Sequence, residues 1–172
     1  MIDKNIFLCG FMGCGKSTVG RALALQLGME FIDMDTFIEE KSGESVQEIF
    51  KNYGEAHFRA LEREAAQTLS GRGGCVVGTG GGAVLSPGSA AAMKRGGVIV
   101  LIDVPLSVIA QRLDGDTTRP LLQAPDKLAA MRALYEARMP LYRAVADLTV
   151  ENPDDRPEAL VAQDIALLLQ SK

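Results

Sequence analysis

Nine consecutive residues constrain this chain more than any others: Gly10-Phe11-Met12-Gly13-Cys14-Gly15-Lys16-Ser17-Thr18. They fit the G-x-x-x-x-G-K-[ST] pattern of a phosphate-binding loop, a pattern that carries chemistry when a strand precedes it and a helix follows. Ile6-Phe7-Leu8-Cys9 is a short apolar run that reads as a buried strand, and Val19, Leu23 and Leu27 then recur at helical spacing. Between them, glycines let the backbone curl so that successive N–H groups point at phosphate oxygens. The helix adds the positive end of its dipole. Lys16 can reach the β- and γ-phosphates, and Ser17 can place a hydroxyl on Mg²⁺. A Gly-rich turn that merely contains a lysine would not need both flanks, so the chain is expected to bind a nucleoside triphosphate.

The 172 residues suit one domain, and no apolar run is long enough to span a membrane. A net charge of −4 gives no electrostatic case for nucleic acid. With only Met1 to Lys4 ahead of the first strand, no signal or transit peptide is expected. Cysteines at 9, 14 and 75 have no metal-site spacing. Cys9 and Cys75 fall in apolar strands and read as buried thiols. Cys14 sits in the phosphate loop, where N–H groups and Lys16 favour a reactive thiolate. A reducing, cytoplasmic setting follows.

Further strands are expected at Glu30–Asp33, Cys75–Val77, Val98–Ile102 and Leu148–Val150. Gly28 reads as a helix C-cap, and Ser45 with Glu48 as a capping box opening a helix through Tyr53. A helix from Glu55 to Leu69 carries the apolar stripe Phe58, Leu61, Ala65 and Leu69. A helix from Leu128 is expected to stop near Pro140, and Pro157 opens a last helix with a face of Leu160, Val161, Ile165 and Leu168. Asp114 to Asp126 breaks the periodicity and reads as a lid. Alternating strands and helices imply a parallel sheet covered on both sides, with ligands beyond the carboxyl ends of the strands.

Asp33 and Asp35 follow the second strand. One can hold Mg²⁺ or its waters while the other accepts a proton from a hydroxyl. Equally, Asp35 can act as a helix N-cap. Asp103, ending an apolar strand, is a second metal candidate, and spacing does not separate it from Asp33. Arg59 and Glu62 share a helix face, either as a ligand-holding fork with its support or as an ordinary exposed ion pair. Gly80-Gly81-Gly82 exceeds what a simple turn needs and allows close approach to a ligand. Arg119 can reach the γ-phosphate from the lid, whereas Arg138 can simply face its helix dipole. His57 reads as a surface residue.

Asp33-Met34-Asp35, Phe58-Arg59-Ala60-Leu61-Glu62, Thr79-Gly80-Gly81-Gly82, Thr118-Arg119-Pro120-Leu121-Leu122 and Arg138-Met139-Pro140-Leu141-Tyr142, behind the phosphate loop, together resemble shikimate kinase. The resemblance runs nearly end to end. It implies a single α/β domain over 1–172: a three-layer α/β/α, P-loop, nucleoside-monophosphate-kinase-like fold. Its five-stranded parallel sheet would have the order 2-3-1-4-5, with a substrate-binding helical region at about 34–62 and a mobile lid at about 113–126. The implied reaction is transfer of the γ-phosphoryl group of ATP to the 3-hydroxyl of shikimate, giving shikimate 3-phosphate and ADP, in aromatic amino-acid biosynthesis. A cytoplasmic monomer with one Mg²⁺ is implied.

By the same resemblance, Gly13, Cys14, Gly15, Lys16, Ser17, Thr18, Arg112, Arg119, Arg156 and Pro157 bind ATP, with Arg112 and Pro157 flanking the adenine. Ser17 and Asp33 hold the metal, which sets Asp103 aside. Asp35 is the base, with Lys16 and Arg119 on the phosphates. Arg59 and Arg138 clamp the shikimate carboxylate, Glu62 steadies Arg59, Gly80, Gly81 and Gly82 face a substrate hydroxyl, and Phe50 and Phe58 line the ring pocket. The competing readings are a related kinase for gluconate or a nucleoside monophosphate, and a nucleotide-dependent switch protein.

Overall fold

A computed structural model describes residues 4–116 and 125–171. Five parallel strands, β1 (Asn5–Cys9), β2 (Glu30–Asp33), β3 (Cys75–Gly78), β4 (Gly97–Asp103) and β5 (Leu148–Glu151), form one sheet of order β2-β3-β1-β4-β5. β1 is central: Phe7 sits opposite Val77 of β3 on one side and Ile99 of β4 on the other. That position explains why the run Ile6-Phe7-Leu8-Cys9 does not alternate. Both faces are covered, and all four residues are fully buried.

Eight helices connect and cover the strands among the described residues: α1 (Lys16–Leu27), α2 (Met34–Ser42), α3 (Val46–Tyr53), α4 (Glu55–Ser70), α5 (Pro87–Gly96), α6 (Leu106–Arg112), α7 (Lys127–Val145) and α8 (Glu158–Gln170). α1 packs against α8, and α4 against α5, giving the expected three layers. Gly28 caps α1 in the left-handed conformation, φ 66°, where a side chain would be strained. The capping box of Ser45 and Glu48 opens α3. None of the described helices is long and apolar enough to cross a membrane.

Several expectations need correcting. α7 does not stop at Pro140 but runs through it to Val145. Proline there removes one helix hydrogen bond. Burial of Met139 and Tyr142 on either side, at 2% and 0% exposure, outweighs that loss. Pro157 stands at the N-cap position of α8, just outside the helix. The inward face of α8 is Val161, Ala162 and Ile165, while Leu160 and Leu168 are exposed. The N-cap of α2 is Asp33, whose carboxylate accepts from the backbone N–H of Asp35 and Thr36, so the capping role weighed for Asp35 belongs to its neighbour.

Candidate active site

The carboxyl ends of β1, β2, β3 and β5 border one cavity of about 880 Å³. The loop between β1 and α1, Asp33 at the end of β2, Thr79–Gly82 after β3 and the Asn152–Pro157 turn after β5 all line it. Helices α4 and α7 add Arg59, Glu62 and Arg138 from the side. A parallel sheet splays its connections apart at this edge, which is why residues far apart in the chain meet here.

At one end lies the phosphate loop. Gly13 and Gly15 have φ values of 73° and 98°, so the loop can turn only with glycine at these points. Lys16 Nζ donates to the carbonyls of Gly10 and Phe11 at 2.9 and 3.1 Å, spanning the loop. Cys14 also lines this end, but its side chain is 1% exposed and 3.8 Å from Lys16 Nζ. Enclosure of that kind removes the access that the expected reactive thiolate needs. Arg112 reaches across to donate to the Gly13 carbonyl at 2.9 Å, and its Nε donates to Asp155 at 2.8 Å. Asp155 adopts φ 50°, the one non-glycine residue in that region among those described. Arg156 pairs with Asp164 at 2.8 Å, and its N–H donates to buried Asn152. Thr18, Arg112, Arg156 and Pro157 all border the same end.

Between the ends sits the carboxylate pair. Ser17 Oγ donates to Asp33 Oδ2 at 3.0 Å. One hydroxyl beside one carboxylate suits Mg²⁺, which takes few protein ligands and draws the rest from phosphate and water. Asp35 Oδ1 is buried and has no hydrogen-bond partner. Burial first, then the charges of Asp33 and Glu62, push its carboxyl up to about 6. An unpartnered, raised carboxylate at a cavity wall is a candidate base.

At the far end, Arg59 Nη1 meets Glu62 Oε2 at 2.5 Å, and Arg59 Nη2 meets Glu55 at 3.2 Å. Glu62 is 2% exposed, so this is not an ordinary surface pair. Burial raises the Glu62 carboxyl, opposed by its bond to Arg59 and by the charges of Arg59 and Arg138. The three glycines make room for these side chains. A Cβ on Gly80 would lie 2.7 Å from Glu62 Oε1 and 3.2 Å from Asp35 Oδ1. One on Gly82 would lie 2.8 Å from Arg59 Cζ. One on Gly81 would lie 3.4 Å from Arg138 Nη1. None of the three has a positive φ, so space and not backbone freedom is what requires glycine at 80 and 82, while the distances at Gly81 are those of ordinary contact.

Not every predicted residue arrives. Phe58 lines the cavity, but Phe50 does not; it stacks on the Phe58 ring at 4.7 Å with 38% of its surface exposed. Asp103 is held by Arg143 at 2.9 Å and is not part of the lining, whereas Asp33 is. His57 is exposed and rests against Tyr53. Arg119 and most of the expected lid lie outside the described residues.

Sequence reasoning gives no role to lining residues such as Asp155 and Thr79, nor to Tyr142 behind the lining. Asp155 anchors Arg112, Thr79 donates to the Leu8 carbonyl at 2.9 Å, and Tyr142 donates its hydroxyl to the Gly81 carbonyl. Tyr142 did stand inside a recognised motif, and a tyrosine one helical turn beyond Arg138 was the available signal.

Residues 12–169 match the family described as shikimate kinase. A shikimate kinase of Halorhodospira halophila is 49% identical over 169 residues, covering 98% of this chain and 95% of that one. A shikimate kinase of Geobacter sulfurreducens is 45% identical, covering 93% of this chain and 88% of that one. The solved shikimate kinase from Acinetobacter baumannii in complex with shikimate superposes with a TM-score of 0.91 at 40% identity, covering 98% of this chain and 93% of that one. The chain belongs to the shikimate kinase family.

Proposed function

We propose that this member of the shikimate kinase family transfers the γ-phosphoryl group of ATP to the 3-hydroxyl of shikimate. The observation that carries the reading is a single cavity whose wall holds a phosphate loop at one end, Arg59 and Arg138 at the other, and Asp35 between them. Two guanidinium groups select an acid, since planar forks match a carboxylate. The nucleotide end takes the phosphates on the loop N–H groups and Lys16, with the adenine between Arg112 and Pro157.

Ser17 and Asp33 would hold Mg²⁺, whose charge offsets that of the phosphates. Asp35 accepts the proton of the attacking hydroxyl. With a carboxyl near 6 it is ionised at neutral pH yet more basic than an ordinary aspartate. Gly80, Gly81 and Gly82 offer the backbone to a substrate hydroxyl, and Phe58 covers the ring. Phosphoryl transfer asks mainly for positioning and charge neutralisation, which this set supplies. Arg119 is assigned to the phosphates on the resemblance alone, as is the lid that would exclude water.

A monomer is what the family resemblance implies. A cytoplasmic location supplies ATP and keeps the three free cysteines reduced. ADP release, followed with and without shikimate, tests the reading. Turnover that requires shikimate is expected. Turnover with gluconate or a nucleoside monophosphate instead, or hydrolysis indifferent to any acceptor, would overturn it.

A further inference from the structure

Tyr142 is the largest fully buried side chain among the described residues, yet its polar end faces the cavity wall. Its hydroxyl donates to the carbonyl of Gly81 in the glycine loop. The Arg138 guanidinium, one helical turn back on α7, lies near enough for its charge to act on the phenol. Gly81 closes the triangle: a Cβ there would lie 3.4 Å from Arg138 Nη1 and 3.7 Å from the phenol oxygen. Burial holds the phenol at about 12, so it remains a neutral donor at every working pH.

A phenol has one proton to give and lone pairs to receive. Here the proton goes to the loop carbonyl, and the guanidinium stands beside the same glycine. Both groups belong to elements that line the substrate half of the cavity, whereas the phenol itself is not in the lining. We infer that Tyr142 is a positioning residue for the acid-binding half of the site, its hydroxyl holding the Gly81 carbonyl, against which Arg138 is set, so that guanidinium and glycine loop present one fixed geometry. The inference rests on the shikimate kinase reading given above. It assigns Tyr142 no contact with the reacting atoms. Its effect on nucleotide is nil, because the phosphate loop takes no hydrogen bond from it.

The test is Tyr142→Phe, which removes one atom and keeps the ring. The KM for shikimate is expected to rise about tenfold, the equivalent of one hydrogen bond lost in a buried setting, with the KM for ATP unchanged. In an Arg138→Ala background the same substitution is expected to add less than about twofold, since residues acting as one unit are not additive. A Tyr142→Phe enzyme with lowered Tm but unaltered KM would overturn the inference, as would full additivity with Arg138→Ala. Wild type that does not phosphorylate shikimate at all would overturn the functional reading and this inference with it. Wild-type activity with an indifferent variant would overturn this inference alone. If Tyr142→Phe does not fold, 3-fluorotyrosine placed at Tyr53, Tyr135 and Tyr142 gives a second readout. The Tyr142 resonance, assigned by Tyr53→Phe and Tyr135→Phe, is expected to shift with shikimate and not with ATP. No shift with shikimate would overturn the inference.

Discussion

Glu62 and Arg59 are joined at 2.5 Å across a boundary: the carboxylate is 2% exposed, whereas the guanidinium side chain retains 29% of its surface. The acid is enclosed behind the base and fixes which way the fork points. Its cost of burial is met only while Arg59 is present. Glu62→Gln keeps the shape and removes the charge. The variant is expected to lose about 1–3 kcal/mol of stability by denaturant titration, with a KM for shikimate raised several-fold.

Asp35 carries a cost of a different sign. Its carboxyl stands near 6 when folded against 3.8 as reference. Between these values the folded state holds more proton than the unfolded one, so the Asp35 contribution to stability falls as pH rises from about 4 to 6 and then stays flat. Asp35→Asn is expected to be more stable than wild type at pH 7, by up to about 2–3 kcal/mol, and equal to it near pH 3. Turnover should fall about 10²–10⁴-fold. In wild type, kcat/KM should fall below about pH 6, where Asp35 takes a proton, and that acid limb should be absent from Asp35→Asn. Thermal melts and pH–rate profiles of the two proteins check both statements.

Gly80 lies between two carboxylates. Ala at this position sets a Cβ 2.7 Å from Glu62 Oε1, closer than real contacts allow, and 3.2 Å from Asp35 Oδ1, so Glu62 must shift and Asp35 must give by a few tenths of an ångström. Gly80→Ala is expected to cut kcat/KM for shikimate by at least about tenfold, because small displacements of positioned groups are costly. Nucleotide affinity, read by fluorescence of a labelled ATP analogue, should stay within about twofold.

Much of this was legible in the chain, and the remainder was hidden for identifiable reasons. The phosphate loop is local, its glycines and Lys16 being dictated within one turn, so sequence reading located it completely. The pairing of Ser17 with Asp33 rests on the family resemblance, since Ser17 lies in the first turn of α1 and β2 is separated from β1 by β3. Arg59 and Glu62 could not be placed so easily: spacing of three reports a shared helix face but not whether that face is covered, and coverage by the glycine loop makes Glu62 a buried acid. Pro140 misled because proline's local cost is visible in sequence and the packing of Met139 and Tyr142 is not. Phe50 has the composition of a pocket wall, yet a neighbouring ring, Phe58, takes that place. Strand order followed from the family resemblance alone, since alternation of strands and helices permits several orders.

Asp155 offers a test at the nucleotide end. Its carboxylate fixes Arg112, which also donates to the Gly13 carbonyl, and it adopts φ 50° to do so. Asp155→Ala is expected to raise the KM for ATP about three- to tenfold through loss of one charge-assisted bond, leaving the KM for shikimate unchanged. Stability should change by less than about 1 kcal/mol, because the ion pair is largely solvated.

The central claim is that one cavity receives a triphosphate and an acid at separate ends. Steady-state KM values of Arg59→Ala for both substrates test it most directly. The expected result is a KM for shikimate raised by about tenfold or more with ATP within about twofold, as loss of a charge-assisted contact to one ligand requires. Equal losses for shikimate and ATP, or none for either, would contradict it.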